Sequence, residues 1–164
     1  MTISRDKTTI VENGYFELEI DSNTVGHTEE GCEITFAKGK VQLFSHESGE
    51  VPIKTIHNGT NITLKVKFLE ITANELGWVF PEASVAVGGT TTISDHVGTD
   101  LTAGAVDINL YDNSGNKYWA FSNMVPCPDE VVIRNRIGEK WMLDAKFQSH
   151  WMDTGTRATY TPVS

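Results

Sequence analysis

The sequence predicts a mostly-β fold, an antiparallel β-sandwich or flattened barrel with one short α-helix. Three observations carry this. Apolar and polar residues alternate with a period of two over several short runs, a helix-start signature occurs once, near residue 72, and strand and helix patterns do not alternate along the chain. With 164 residues, the chain has the length of one domain, enough to bury a core without disulfides or metal. Its 39% hydrophobic and 21% charged residues are those of a folded globular protein rather than a disordered one.

From the start, residues 1–14 are weakly patterned and end in the turn pair Asn13-Gly14, so they read as an N-terminal arm. The body is expected over 15–153 as a single β domain. Phe16, Leu18 and Ile20 alternate with Glu17 and Glu19; Cys32, Ile34 and Phe36 alternate with Glu33 and Thr35. Each run suits a strand with one buried face. Val41–Phe44 and Pro52–Ile56 follow as short strands on either side of Ser45-His46-Glu47-Ser48-Gly49-Glu50, which is longer than a tight hairpin needs and reads as a protruding loop. Asn61–Phe68 is the clearest strand, with Ile62, Leu64, Val66 and Phe68 on one face and Thr63, Lys65 and Lys67 on the other.

Thr72 and Glu75 form a T-x-x-E capping box, in which each side chain satisfies a backbone N–H left orphaned at a helix start. The helix runs to about residue 80, with Ala73, Leu76 and Phe80 as its apolar face and Pro81 as its stop. Residues 82–103, rich in Gly, Thr, Ser and Ala, read as a long loop or insertion. A hairpin follows, Val106–Leu110 and Lys117–Phe121 about a turn at Asp112–Asn116, then an antiparallel pair from Val131–Ile133 and the strand of Trp141, Leu143, Ala145 and Phe147, joined through Gly138. Residues 154–164 read as a C-terminal tail.

Composition excludes several functions. Net charge is −9, with ten acidic against four basic residues in the first fifty, so the chain lacks the cationic surplus that gives nucleic-acid binders their affinity for phosphate. No run approaches the roughly 20 apolar residues of a membrane span, and the polar start lacks the apolar run of a signal peptide, so a soluble protein made in the cytosol is expected. Cys32 and Cys127 lack the paired spacing of zinc or redox motifs and read as buried free thiols. His27, His46, His57, His96 and His150 lack metal-motif spacing, and no nucleophile elbow, phosphate loop or acid–base pair is present. Neither catalysis nor a cofactor is expected. Glu17, Glu19, Asp107 and Asp144 sit on polar strand faces. Trp78, Trp119, Trp141 and Trp151 suit core or interface packing, with a sugar-binding platform as the alternative.

The order of these elements resembles the major tail tube proteins of long-tailed bacteriophages. Thr24–Phe36 is similar to that family's glycine-containing entry into a strand. Lys54–Gly59, the regular strand Asn61–Glu70 and, directly after it, the helix Thr72–Phe80 are the most characteristic succession, and Trp141–His150 leading to Asp153 is similar to the closing strand. The match covers most of residues 15–153. It implies a structural virion protein of the tail tube that self-assembles into stacked, hexameric rings. DNA would pass through the lumen without specific binding, and the tape measure, tail terminator and baseplate or tip proteins would be further partners. The ring would convert open sheet edges into interfaces. An acidic lumen would keep DNA off the wall. By this resemblance Ser45, His46, Glu47, Ser48, Gly49 and Glu50, with the N-terminal arm, are candidate contacts to the adjacent ring that order on assembly; Lys65 and Lys67 are added as interface candidates. The alternatives are an inner-tube protein of a contractile tail or injection system, and a monomeric carbohydrate-binding or adhesin module.

Overall fold

Alternation of buried and exposed side chains builds the sheet. The computed structural model describes residues 17–26, 28–69, 71–85, 90–93, 97–111, 115–127, 131–135, 141–150 and 156–161. The expected N-terminal arm, His27, His96, Trp151, Asp153 and the turn residues 112–114 lie outside the described residues. In chain order the strands are β1 (Glu17–Ile20), β2 (Asn23–Thr24), β3 (Thr28–Leu43), β4 (Lys54–Phe68), β5 (Ser84–Val85), β6 (Thr91–Thr92), β7 (Val106–Tyr111), β8 (Lys117–Pro126), β9 (Val132–Arg134), β10 (Met142–Ser149) and β11 (Ala158–Tyr160). The helix α1 (Ala73–Val79) follows β4, and a 3-10 turn, Leu101–Gly104, precedes β7. The fold is mostly antiparallel β with one short helix, as the sequence predicts, and the sheet is not closed into a barrel.

The strand order β2-β1-β7-β8-β10-β4-β3 bends where β8 meets β10. These two strands share only Met124–Pro126 against Phe147–Ser149. Elsewhere along that edge β8 pairs with β11, through Trp119–Phe121, and β10 pairs with β9, through Met142–Asp144. Two strand groups therefore diverge from one short junction, as at a sandwich corner. Leu18, Ile20, Ile108, Leu110 and Phe121 from one group join Leu64, Val66, Phe68, Leu143 and Phe147 from the other in a single buried cluster. Asn123, at φ 55°, marks a bulge in β8 at this corner, and Asp107 Oδ1 accepts its N–H at 3.2 Å.

Thr72 caps α1 with the reciprocal capping box: its side chain accepts from Asn74 N, and Glu75 accepts from Thr72 N at 2.9 Å and from the Thr72 hydroxyl. Loss of such a cap costs about 1 kcal/mol. The buried face differs from the expected Ala73, Leu76 and Phe80. Val79 is the core residue, Glu75 is buried by its capping role, and Leu76, Trp78 and Phe80 flank them, partly buried. Turning the cap carboxylate inward rotates Val79, one turn on, toward the sheet.

Two further differences follow from strand length. The four short strands expected between residues 32 and 68 are two long ones, β3 and β4. The segment expected as a C-terminal tail contains β11, whose three residues are too few to show alternation; it pairs with β8, and Thr161 N donates to Tyr118 O.

Candidate assembly surface

The β3–β4 hairpin outgrows the sheet that supports it. β10 pairs with β4 only from Thr63 to Phe68, and where that ladder ends the buried Ser149 hydroxyl accepts the Ile62 N–H at 3.1 Å. Beyond this point, among the described residues, β4 pairs with β3 alone, and every residue from Lys54 to Asn61 is exposed except half-buried Thr60. The outer half of the hairpin is thus a two-stranded arm.

A bulge at its root reverses which face is apolar. Lys38 pairs with Thr60 and Lys40 with His57, so β4 carries one residue more than β3 over this step. Gly59 takes the left-handed conformation, φ 92°, that such a bulge requires. Because β3 runs through without an insertion, Cys32, Ile34 and Phe36 share a face with Lys38, Lys40 and Gln42. Val41 and Leu43 lie on the other face, with Ile56 opposite Val41. Inside the bulge the apolar face meets the core; outside it, the apolar face points away from the core.

Seven of the thirteen exposed large apolar residues among those described lie in this hairpin, from Phe36 to Ile56, including Phe44, Val51 at 68% and Ile53 at 62% exposure. Withdrawing the exposed part of each from water is worth roughly 1 kcal/mol. Phe36, on the core side of the bulge, meets Trp119 at 5.6 Å, which also stacks on Phe121 and meets Tyr160 at 5.0 Å.

The tip is closed by hydrogen bonds within the chain. Ser48 N donates to Ser45 O and Oγ, Ser45 N donates to Ser48 Oγ at 3.0 Å, and Ser48 Oγ donates to Ser45 O. Gly49, at φ 59°, turns the loop, and Ile53 N donates to Leu43 O, which extends the ladder. Two small hydroxyl residues three apart can satisfy each other's backbone, and this meets the ordering cost locally. His46, Glu47, Gly49 and Glu50 are exposed around it.

Lys65 and Lys67 are not brought to this tip. They lie in the inner half of β4, where Lys65 pairs with Glu33 at 3.1 Å on the outer face. Both partners are more than half exposed, so the pair contributes under about 1 kcal/mol. In sequence the arm's apolar residues read only as short strands flanking a polar loop. The available signal was the spacing of five from Phe36 to Val41, which breaks the period of two by one residue.

Gly39 fits this geometry closely. A Cβ there would lie 2.9 Å from the Asn58 carbonyl oxygen across the bulge. Gly39→Val is expected to destabilise the arm by about 1–3 kcal/mol. Faster amide exchange confined to residues 37–60 checks this; unchanged exchange contradicts it.

Burial pushes the Cys32 thiol up to about 11, so it remains a neutral, packed side chain at physiological pH. Both cysteines are free.

Geometrically the molecule defines a class: a mostly-β, tail-tube-like fold, an open bent sheet with one short helix and a long projecting hairpin. Its likeness among solved structures agrees. A chain of the extracellular contractile injection system PVC, in its sheath–tube complex in the extended state, superposes with TM-score 0.57 at 8% identity, covering 98% of this chain and 100% of that one. A chain of the anti-feeding prophage (AFP) baseplate gives TM-score 0.37 at 11% identity, covering 88% and 91%. The sequence matches no protein-family model and no curated protein.

Proposed function

We propose that this chain is a structural subunit of the tube of a tail-like device, assembling into stacked rings, with the inner tube of a contractile injection system as its best specific setting. The single observation that carries this is the arm. An apolar strand face turned away from the chain's own core is a cost to an isolated domain and an asset to one that is covered by copies of itself. The full-length likeness to a chain of a contractile sheath–tube complex supports the contractile setting, and the element order supports the phage tail tube with DNA delivery as the second reading. Both readings share the assembly. Neither assigns catalysis to the chain.

Negative-stain electron microscopy of the purified chain at increasing concentration tests the proposal. Rings or hollow tubes are the expected result. A monodisperse monomer at every concentration, binding a glycan array, would replace it with the adhesin reading.

A further inference from the structure

The arm has a second face, and its chemistry is unlike the rest of the chain. By the register at the bulge, Lys38 and Lys40 of β3 share the face opposite Val41 and Leu43 with Thr55, His57 and Thr60 of β4. Lys38, Lys40 and His57 are exposed. Arg157, arriving with the segment before β11, donates from Nη1 to Thr60 O at 2.7 Å, and with Lys38 and Asn58 it lines an open cleft of about 510 Å³ at the bulge. Among the described residues this face carries no carboxylate. Glu47 and Glu50 lie at the tip, and Glu33 lies on the opposite face with Lys65. Among the described residues neither Lys38 nor Lys40 has an ion-pair partner. In a chain of net charge −9, a run of unneutralised cations on one projecting face is a specific feature.

The complementary surface lies near the other end of the strand order. On β1, Glu17 and Glu19 alternate with buried Leu18 and Ile20; on β7, Asp107 alternates with buried Val106 and Ile108. The β1–β7 register puts these three carboxylates on one outer face. Neutral groups hold them. Glu19 Oε1 accepts from Asn109 Nδ2 at 2.8 Å and from the Tyr111 hydroxyl at 3.2 Å, Glu17 Oε1 accepts from the Thr24 hydroxyl at 3.1 Å, and Asp107 accepts from Asn123 N. Such donors aim a carboxylate without cancelling its charge. Lys117 lies over the Tyr111 ring at 5.6 Å and makes no ion pair with a described residue.

We propose that the basic face of the arm, Lys38, Lys40 and His57 with Arg157, docks on the Glu17, Glu19 and Asp107 strip of a second copy, head to tail. The inference rests on the self-assembly reading and adds its polarity: which surface of one copy meets which surface of the next. The two patches are different surfaces, so the contact is heterologous and repeats from copy to copy until a ring closes or a helix forms. Charge complementarity of this kind fixes register and partner orientation and speeds encounter, while the apolar face supplies buried area.

A charge-swap series tests it, with assembly read by sedimentation and electron microscopy. Lys38→Glu with Lys40→Glu, and separately Glu17→Lys with Glu19→Lys, are each expected to raise the assembly threshold by about 10-fold or more. The chain carrying all four changes is expected to recover to within about threefold of the original, because opposite charges again face each other. Thresholds unchanged by either pair overturn the proposal, as does a folded fourfold variant no better than the pairs. Should that variant fail to fold, the unaltered chain decides: its threshold is expected to rise between about 0.05 M and about 0.5 M salt, and a salt-independent threshold overturns the head-to-tail charge contact. Robust assembly with no charge dependence removes this inference alone, whereas an unaltered chain that never assembles removes the tube reading with it.

Discussion

Replacing Leu43 and Ile56 by aspartate is expected to leave the chain folded and to raise the concentration needed for assembly by roughly 100-fold, equivalent to about 3 kcal/mol. The two parts of this prediction come from one geometry. Both side chains are more than 40% exposed in the single chain, on a two-stranded arm that no other strand among the described residues supports, so the core does not depend on them. Surface changes of this kind alter domain stability by about 0.5 kcal/mol or less. In the assembly the same positions are covered, and a carboxylate there loses its water without gaining a partner. Circular dichroism and thermal unfolding check the first part, and sedimentation checks the second. Assembly at the original threshold would show that the arm is not the contact.

Phe147→Ala is expected to do the reverse, lowering stability by about 3–5 kcal/mol, a fall in unfolding temperature on the order of 10 °C. Phe147 is fully buried at the strand junction, opposite Pro126 on β8 and Leu64 on β4. Three residue pairs and two flanking backbone bonds, Cys127 N to Lys146 O and His150 N to Asn123 O, join β8 to β10 there, so the side chains packed between the two strand groups carry much of the contact. A cavity at this point weakens both groups at once. Thermal unfolding of the unassembled chain measures it, and a fall of less than about 2 °C contradicts the corner as the centre of the core.

Much of this architecture is legible in the sequence where alternation is long enough to count. Ile62, Leu64, Val66 and Phe68 fix the inner half of β4, Val106, Ile108 and Leu110 fix β7, and Thr72 with Glu75 fixes the start of α1, because each pattern reports a burial or capping requirement that acts locally. β2, β5, β6 and β11 are not legible, since two or three residues are too few to show alternation, and β11 pairs with a strand distant in sequence. The candidate assembly surface is half legible. The protrusion of Ser45–Glu50 follows from its length and polarity, but the joining of Val41–Phe44 and Pro52–Ile56 into one arm depends on the bulge at Asn58-Gly59. Asn58-Gly59 reads as a turn pair in isolation, and only the register shows that the chain continues through it with its apolar face reversed. Lys65 and Lys67 illustrate the converse: their place on the polar face of β4 is readable, but Lys65 is exposed and Lys67 half-buried, and their distance from the tip along the strand places them on a different part of the molecule.

In the proposed assembly the outer half of the β3–β4 hairpin is covered by another copy of the chain. Hydrogen exchange on dilute and assembled protein tests it most directly. β3 ends the strand order, so its outward N–H groups have no strand partner among the described residues. Amides of residues 37–43 and 54–57 are expected to gain protection on assembly, more than those of the core strands. Assembled rings or tubes in which these amides exchange as fast as in the dilute chain would contradict it.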